Sequence, residues 1–143
     1  MPEKIKLLIV EDEKLMRVGL KALLEAFPII KVIGEAENGQ QSVKLAGELK
    51  PDVILMDIGM RIMNGIEATR RIKESYPEIK IFVLTSHITD EQEVMEALTA
   101  GASAYAAKDI DTATLVTIIQ TISNGAFWLD PNVAKFFMQK SHF

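Results

Sequence analysis

Acidic residues directly follow two apolar runs of the sequence. Glu11 and Asp12 come after residues 5–10, and Asp57 ends the run of residues 53–57. Carboxylates that lie together repel one another and raise one another's pKa unless a cation neutralises them. A hard divalent cation, with Mg²⁺ the best candidate, takes oxygen ligands while it keeps some of its waters. If the three carboxylates meet in the fold, we expect Asp12 and Asp57 to bind Mg²⁺ directly and Glu11 to bind it through water. The alternative is a set of separate, solvated loop acids.

A hydroxyl and an ammonium group follow two further apolar runs. Thr85 ends residues 81–85, and Lys108 follows residues 103–107. A bound metal would withdraw charge from a phosphoryl group, so that the Asp57 carboxylate could attack phosphorus and become an aspartyl phosphate. Thr85 and Lys108 would then face the phosphoryl oxygens as a hydroxyl donor and a cation. Taken singly, Thr85 is explained by strand packing and Lys108 by a solvated loop. The functional interpretation therefore requires that all these residues reach one crevice.

The elements that must position these side chains alternate along the chain. Five strand-like runs, residues 5–10, 31–36, 53–57, 81–85 and 103–107, each precede a stretch with helical spacing of apolar residues. Such units, joined by right-handed crossovers, form a parallel sheet with helices on both faces. We therefore predict an α/β, three-layer, doubly wound (βα)5 fold of the flavodoxin-like type with strand order 2-1-3-4-5. This order makes strands one and three neighbours, at the switch point where such sheets bind ligands.

The composition limits the classes of function. A chain of 143 residues, 48% hydrophobic and 25% charged, suits one globular domain. The absence of cysteine excludes disulfides, thiol catalysis and cysteine-based zinc sites. The net charge of −4 lacks the basic footprint of a nucleic-acid-binding domain. No apolar stretch is long enough for a membrane span, and the first residues do not suit a signal peptide, so we expect a cytoplasmic protein.

Four short motifs surround the candidate residues. They are residues 8–13 (LIVEDE), 55–60 (LMDIGM) with Asn64 and Gly65, 83–86 (VLTS), and 101–105 (GASAY) leading to Lys108 and Asp109. Together they resemble the response-regulator receiver domain of two-component signalling (CheY-like) over residues 6–125. Many receivers place proline where this chain has Asp109, and aspartate there is typical of the NarL/FixJ-like subfamily.

The resemblance implies a role for each candidate site residue. Asp57 would accept a phosphoryl group from the phosphohistidine of a sensor histidine kinase or of a phosphotransfer protein. Glu11 and Asp12 would hold Mg²⁺ with Asp57. The backbone carbonyl of Gly59 would complete the metal site, and Lys108 would pair with the phosphoryl group. The protein would be a regulator that assists its own phosphorylation and dephosphorylation, and not an enzyme.

The resemblance also implies a conformational switch. In the family, the hydroxyl at Thr85 moves toward the phosphoryl group, and the aromatic ring at Tyr105 turns inward behind it. A phosphoryl group brings nearly two negative charges and three strong acceptors, which would recruit Thr85 and Lys108 from their resting contacts. The face made by the fourth helix, fifth strand and fifth helix would change, and the expected output is control of transcription.

Three other functions start from the same residues. A haloacid-dehalogenase-type phosphatase uses a strand-end Asp but needs a second Asp two residues later, where this chain has Gly59. A flavodoxin-type flavin carrier would need a phosphate loop after strand one, where Glu11, Asp12 and Glu13 would repel phosphate. A receiver-like interaction module that phosphorylation does not regulate stays open, because Arg61 stands where receivers usually have proline.

The last residues resemble a connection to a further domain. We predict a receiver domain over residues 1–125 and a linker with a short helix over residues 126–143, with Asp130 as its N-cap and Pro131 at its first position. In NarL/FixJ-like regulators the similar segment leads to a helix-turn-helix effector domain, through which alone DNA would be bound. We expect this chain to be the receiver part of such a regulator, with the effector domain absent from it. The alternative is a single-domain regulator with a residual tail. The fifth helix and the aromatic tail are candidate surfaces for a homodimer.

Overall fold

Parallel strands form the centre of the molecule in the computed structural model, which describes residues 3–59, 63–86, 91–131 and 134–135. The strands are β1 (Ile5–Val10), β2 (Ile30–Ala36), β3 (Val53–Asp57), β4 (Lys80–Thr85), β5 (Ala104–Ala107) and β6 (Trp128–Leu129). The helices are α1 (Lys14–Glu25), α2 (Gly39–Leu49), α3 (Gly65–Ser75), α4 (Glu91–Ala100) and α5 (Thr112–Ser123). Within the described ranges the sheet has the order β2-β1-β3-β4-β5-β6. The predicted doubly wound fold and its strand order are confirmed, with one strand added.

The sequence pattern does not predict β6. This strand pairs in parallel with β5, with Leu129 opposite Tyr105. The N–H of Asp130 donates to the carbonyl of Tyr105 at 3.3 Å. A two-residue strand is too short to show periodicity, and it forms because β5 offers an open edge at this side of the sheet. The N–H of Ala134 donates to the Asp130 carbonyl at 2.9 Å, as in a first helical turn. Within the predicted tail, residues 126–143, residues 132–133 and 136–143 lie outside the described residues.

The two helical layers pack against opposite faces of the sheet. Leu8 and Ile54 belong to the core shared with α2, α3 and α4, whereas Leu7 and Leu55 belong to the core shared with α1 and α5. All five residues of β3 are buried, as expected for a central strand covered on both faces. In the part of the chain that is described, none of the helices has the length and apolar character needed to cross a bilayer.

The start of α3 lies directly against the end of β3. The side chain of Asn64 caps this helix by accepting a hydrogen bond from the N–H of Glu67 at 3.0 Å. The carboxylate of Glu67 pairs with Arg70 and Arg71 on the helix surface. At Gly65, a Cβ atom would lie 2.3 Å from the carbonyl oxygen of Asp57. Glycine therefore permits the helix to approach the strand that carries the central acid.

Substitution of Gly65 by alanine is expected to destabilise the fold. The added methyl would meet backbone atoms, which cannot rotate away, so we expect a loss of about 1–3 kcal/mol in the free energy of unfolding. Gly19→Ala is the matched control, because a Cβ at Gly19 meets nothing within 4 Å. In the middle of α1 that change should stabilise by about 1 kcal/mol. Urea unfolding measures both variants, and a Gly65→Ala protein as stable as Gly19→Ala would contradict the close approach.

Candidate functional site

The carboxyl ends of β1, β3, β4 and β5 bring the candidate residues to one edge of the sheet. Val10 at the end of β1 is opposite Met56, so Glu11 and Asp57 leave neighbouring strands at the same level. On the other side of β3, Asp57 is opposite Leu84, the residue before Thr85. The parallel register therefore gathers residues that are far apart in the sequence, at the position where open α/β sheets bind ligands.

Three carboxylates lie together at this edge. One oxygen each from Glu11, Asp12 and Asp57 falls within 4.8 Å of the others. Glu11 is 2% exposed and Asp57 is 6% exposed, while Asp12 is exposed. Burial raises the pKa of Glu11, and the charge of Asp57 adds to that rise. A set of hard oxygen donors with one member open to solvent fits a divalent cation that keeps part of its water shell.

Lys108 contacts both buried acids. Its Nζ lies 2.9 Å from an oxygen of Glu11 and 3.1 Å from Oδ1 of Asp57. Burial lowers the pKa of Lys108, but the hydrogen bond to Glu11 and the charge of Asp57 outweigh it, so the pKa is raised. The ammonium therefore stays charged, and it balances carboxylates that would otherwise be costly to bury.

Gly59 contributes to the site through its backbone. Its N–H donates to Oδ1 of Asp57 at 3.1 Å, the same oxygen that faces Lys108. A Cβ at Gly59 would lie 3.7 Å from that oxygen, an ordinary van der Waals distance, so the contact with Asp57 does not by itself require glycine. The role of the Gly59 carbonyl as a metal ligand stays a prediction. Arg61, two residues further on, lies outside the described residues.

Thr85 and Tyr105 occupy the side of the site near β4 and β5. Thr85 is 6% exposed, and its backbone carbonyl accepts a 2.8 Å hydrogen bond from the N–H of Lys108. Tyr105 is fully buried, and its hydroxyl donates to Glu93 of α4 at 3.1 Å. The Tyr105 ring thus already points inward, and its hydroxyl ties β5 to α4. The switch roles of both residues stay predictions.

One buried group beside the site is missing from the sequence interpretation. Arg17 is 7% exposed, and its guanidinium donates to the backbone carbonyl of Glu11 at 2.7 Å. The signal that could have found it is its helical spacing with Leu20 and Leu24, which puts a cation on the buried stripe of α1.

Fold and site together define a doubly wound α/β protein with an acidic cluster and a lysine at its switch point. The sequence matches the response regulator receiver domain family over residues 7–120. The chain therefore belongs to the response regulator receiver domain family. The resemblance stated from the motifs is confirmed.

The relatives of the chain are regulators of the LuxR and NarL type. The transcriptional regulatory protein LiaR of Bacillus subtilis is 45% identical over 130 residues, which cover 91% of this chain and 61% of LiaR. A crystal structure of a LuxR-family two-component response regulator from Aurantimonas has a TM-score of 0.89 and 30% identity, covering 96% of this chain and 98% of that one. The receiver domain of a NarL regulator from Mycobacterium tuberculosis has a TM-score of 0.80 and 27% identity, covering 87% of this chain and 99% of that one.

The chain is shorter than its curated relatives. It spans 55% of DegU of Brevibacillus brevis and 61% of LiaR. The relatives carry names of regulators and not of enzymes, which agrees with the regulatory class expected for the chain.

Proposed function

We propose that Asp57 accepts a phosphoryl group from the phosphohistidine of a sensor histidine kinase or a phosphotransfer protein. The observation that carries the proposal is the contact of one lysine with two of three clustered carboxylates at the switch point. An oxygen of Asp57 attacks phosphorus, the P–N bond to histidine breaks, and the bonding electron pair stays with the imidazole. The chain thereby assists its own phosphorylation, and hydrolysis of the aspartyl phosphate returns it to the resting form.

The remaining residues hold the cation and the phosphoryl oxygens. Asp12 and Asp57 would bind Mg²⁺ directly, with Glu11 acting through water and the Gly59 carbonyl completing the set. When bound, Mg²⁺ supplies positive charge against the phosphoryl oxygens. Lys108 would exchange its resting contact with Asp57 for the phosphoryl group, because that group carries up to two negative charges on its own oxygens.

The output of the switch follows the connections around Lys108 and Tyr105. The Lys108 N–H is bonded to the Thr85 carbonyl, the Tyr105 hydroxyl is bonded to Glu93 of α4, and β6 pairs with β5. A change at the phosphoryl group therefore has a short covalent and hydrogen-bonded route to α4, β5 and the segment after α5. Its size is limited by the difference between the contacts that the two states make with that group.

We further propose that this output is control of transcription in the cytoplasm. Residues 1–125 would be the receiver, and residues 126–143 would lead toward a helix-turn-helix effector domain that binds DNA. The names of the relatives, which describe transcriptional regulators longer than this chain, support this proposal. A homodimer through α5 or the tail is part of the same proposal. An interaction module without phosphorylation is the second candidate, and Arg61 is the feature that favours it.

Incubation with acetyl phosphate tests the phosphoryl transfer and its metal requirement. Intact mass spectrometry should detect the addition of one phosphoryl group in the presence of Mg²⁺. Removal of Mg²⁺ with EDTA should abolish the addition, because the clustered carboxylates would then repel the donor. An unchanged mass with Mg²⁺ would favour the interaction module, and equal labelling with EDTA would contradict a metal-assisted site.

A further inference from the structure

Arg17 links the ends of two strands next to the acidic cluster. One guanidinium nitrogen, Nη1, donates to the backbone carbonyl of Glu11 at 2.7 Å. Nε donates to Glu35 of β2 at 3.3 Å, and Nη2 lies 3.7 Å from Glu37. The planar fork of arginine suits acceptors that lie in several fixed directions. A single buried side chain of α1 therefore fixes the loop after β1 to the end of β2.

The carbonyl that Arg17 holds belongs to the peptide group between Glu11 and Asp12. On the other side of Glu11, its N–H donates to the carbonyl of Ala36 at 3.0 Å. Because a peptide group is planar, fixing its oxygen also fixes the direction in which the chain enters Asp12. Arg17 thus orients the backbone from which the Asp12 carboxylate projects.

The carboxylate of Asp12 accepts fewer hydrogen bonds from described residues than the carboxylates of Glu11 and Asp57 do. The Glu11 carboxylate accepts hydrogen bonds from Lys108 at 2.9 Å and from the N–H of Glu13 at 3.2 Å. Asp57 accepts from the N–H of Gly59 at 3.1 Å. Among the residues that the structure describes, none donates a hydrogen bond to the exposed Asp12 carboxylate. The position of this carboxylate therefore depends on its backbone.

We propose that Arg17 is a positioning residue for the cation site. Its guanidinium sets the peptide between Glu11 and Asp12 so that the Asp12 carboxylate stays within reach of Glu11 and Asp57. This inference rests on the proposed function, in which these carboxylates hold Mg²⁺. Groups that orient metal ligands without touching the metal commonly contribute about 10–100-fold to its affinity.

Calorimetric titration of Mg²⁺ into the wild type and three variants tests the inference without any phosphoryl donor. Arg17→Met should weaken Mg²⁺ binding by about tenfold or more, since the Glu11 carbonyl loses its donor. Arg17→Lys keeps the charge but loses the fork, so its affinity should lie between those of the wild type and Arg17→Met. Lys21→Met is the matched control, because Lys21 lies 3.6 Å from Glu35, which Arg17 also contacts. This substitution removes a cation beside Glu35 but leaves the hydrogen bond from Arg17 to Glu11 in place. Its Mg²⁺ affinity should equal that of the wild type.

The outcomes separate this inference from the proposed function. Wild-type Mg²⁺ affinity in Arg17→Met, with a thermal unfolding transition that shows a folded protein, would overturn the positioning role and leave the phosphoryl transfer intact. If Arg17→Met does not fold, Arg17→Lys decides, and wild-type affinity there would overturn the role equally. If the wild type itself binds no Mg²⁺, the proposed cation site and this inference fail together.

Discussion

Replacement of Lys108 by methionine is expected to slow the phosphorylation of Asp57 by about 10²–10³-fold, the usual loss when one donor to developing negative charge is removed. Lys108 lies 3.1 Å from Oδ1 of Asp57, close enough to reach a phosphoryl group on that carboxylate. Methionine keeps an unbranched, flexible side chain of similar length but carries no charge. The measurement is the initial rate of mass increase with acetyl phosphate and Mg²⁺. Lys21→Met, which removes a cation from α1 away from Asp57, should keep the wild-type rate, and equal rates in both variants would contradict the assignment.

The Lys108→Met variant should also show a distinctive dependence of stability on pH. Burial raises the pKa of Glu11, and the hydrogen bond from Lys108 opposes that rise. Without Lys108 the pKa of Glu11 rises further, so the folded variant binds a proton at pH values where the unfolded chain does not. Its free energy of unfolding should therefore increase, relative to the wild type, as the pH falls from neutral toward the ordinary carboxyl range. Urea unfolding in EDTA over that range measures this trend, and a decrease would contradict the electrostatic role of Lys108.

Asp57→Asn is expected to abolish labelling by acetyl phosphate. The amide has nearly the shape of the carboxylate but lacks the nucleophilic oxygen that would attack phosphorus. The fold should persist, because the change removes one charge from a cluster of three acids while Lys108 keeps its contact with Glu11. Loss of labelling in a folded protein would therefore report the chemistry of one oxygen.

Two matched variants give that result its meaning. Asp52 lies just before the start of β3, at the end of the strand far from Asp57, and its carboxylate accepts a hydrogen bond from the N–H of Lys6. The Asp52→Asn variant should be labelled at the wild-type rate. Asp12→Asn retains the phosphoryl acceptor Asp57 but loses a proposed Mg²⁺ ligand. This variant should therefore still be labelled but require a higher Mg²⁺ concentration. Labelling of Asp57→Asn at the wild-type rate would place the acceptor elsewhere.

The sequence predicts the fold and the gathering of the acids because both depend on hydrophobic pattern and strand order. The fully apolar run before Asp57 identifies a central strand, and the alternation of strands and helices makes its neighbours predictable. From that order alone, Glu11 and Asp57 must leave adjacent strands at the same edge. The motifs then supply the roles.

The contacts that the sequence does not predict are those with partners that no local pattern marks. Arg17 reaches Glu35, 18 residues away, and Lys108 pairs in the resting site with Glu11, 97 residues away. The strand β6 depends on an open edge of β5, which exists only after the sheet has formed. Such contacts follow from the packed structure and not from residue spacing.

Chemical trapping of the phosphorylated residue tests the central claim most directly. Borohydride reduces an acyl phosphate of aspartate to homoserine, and peptide mass spectrometry locates the change in the chain. After treatment with acetyl phosphate and Mg²⁺, we predict homoserine at position 57 and unmodified Glu11 and Asp12. Reduction at Glu11 or Asp12, or no reduced residue in a protein that has gained the phosphoryl mass, would contradict Asp57 as the acceptor.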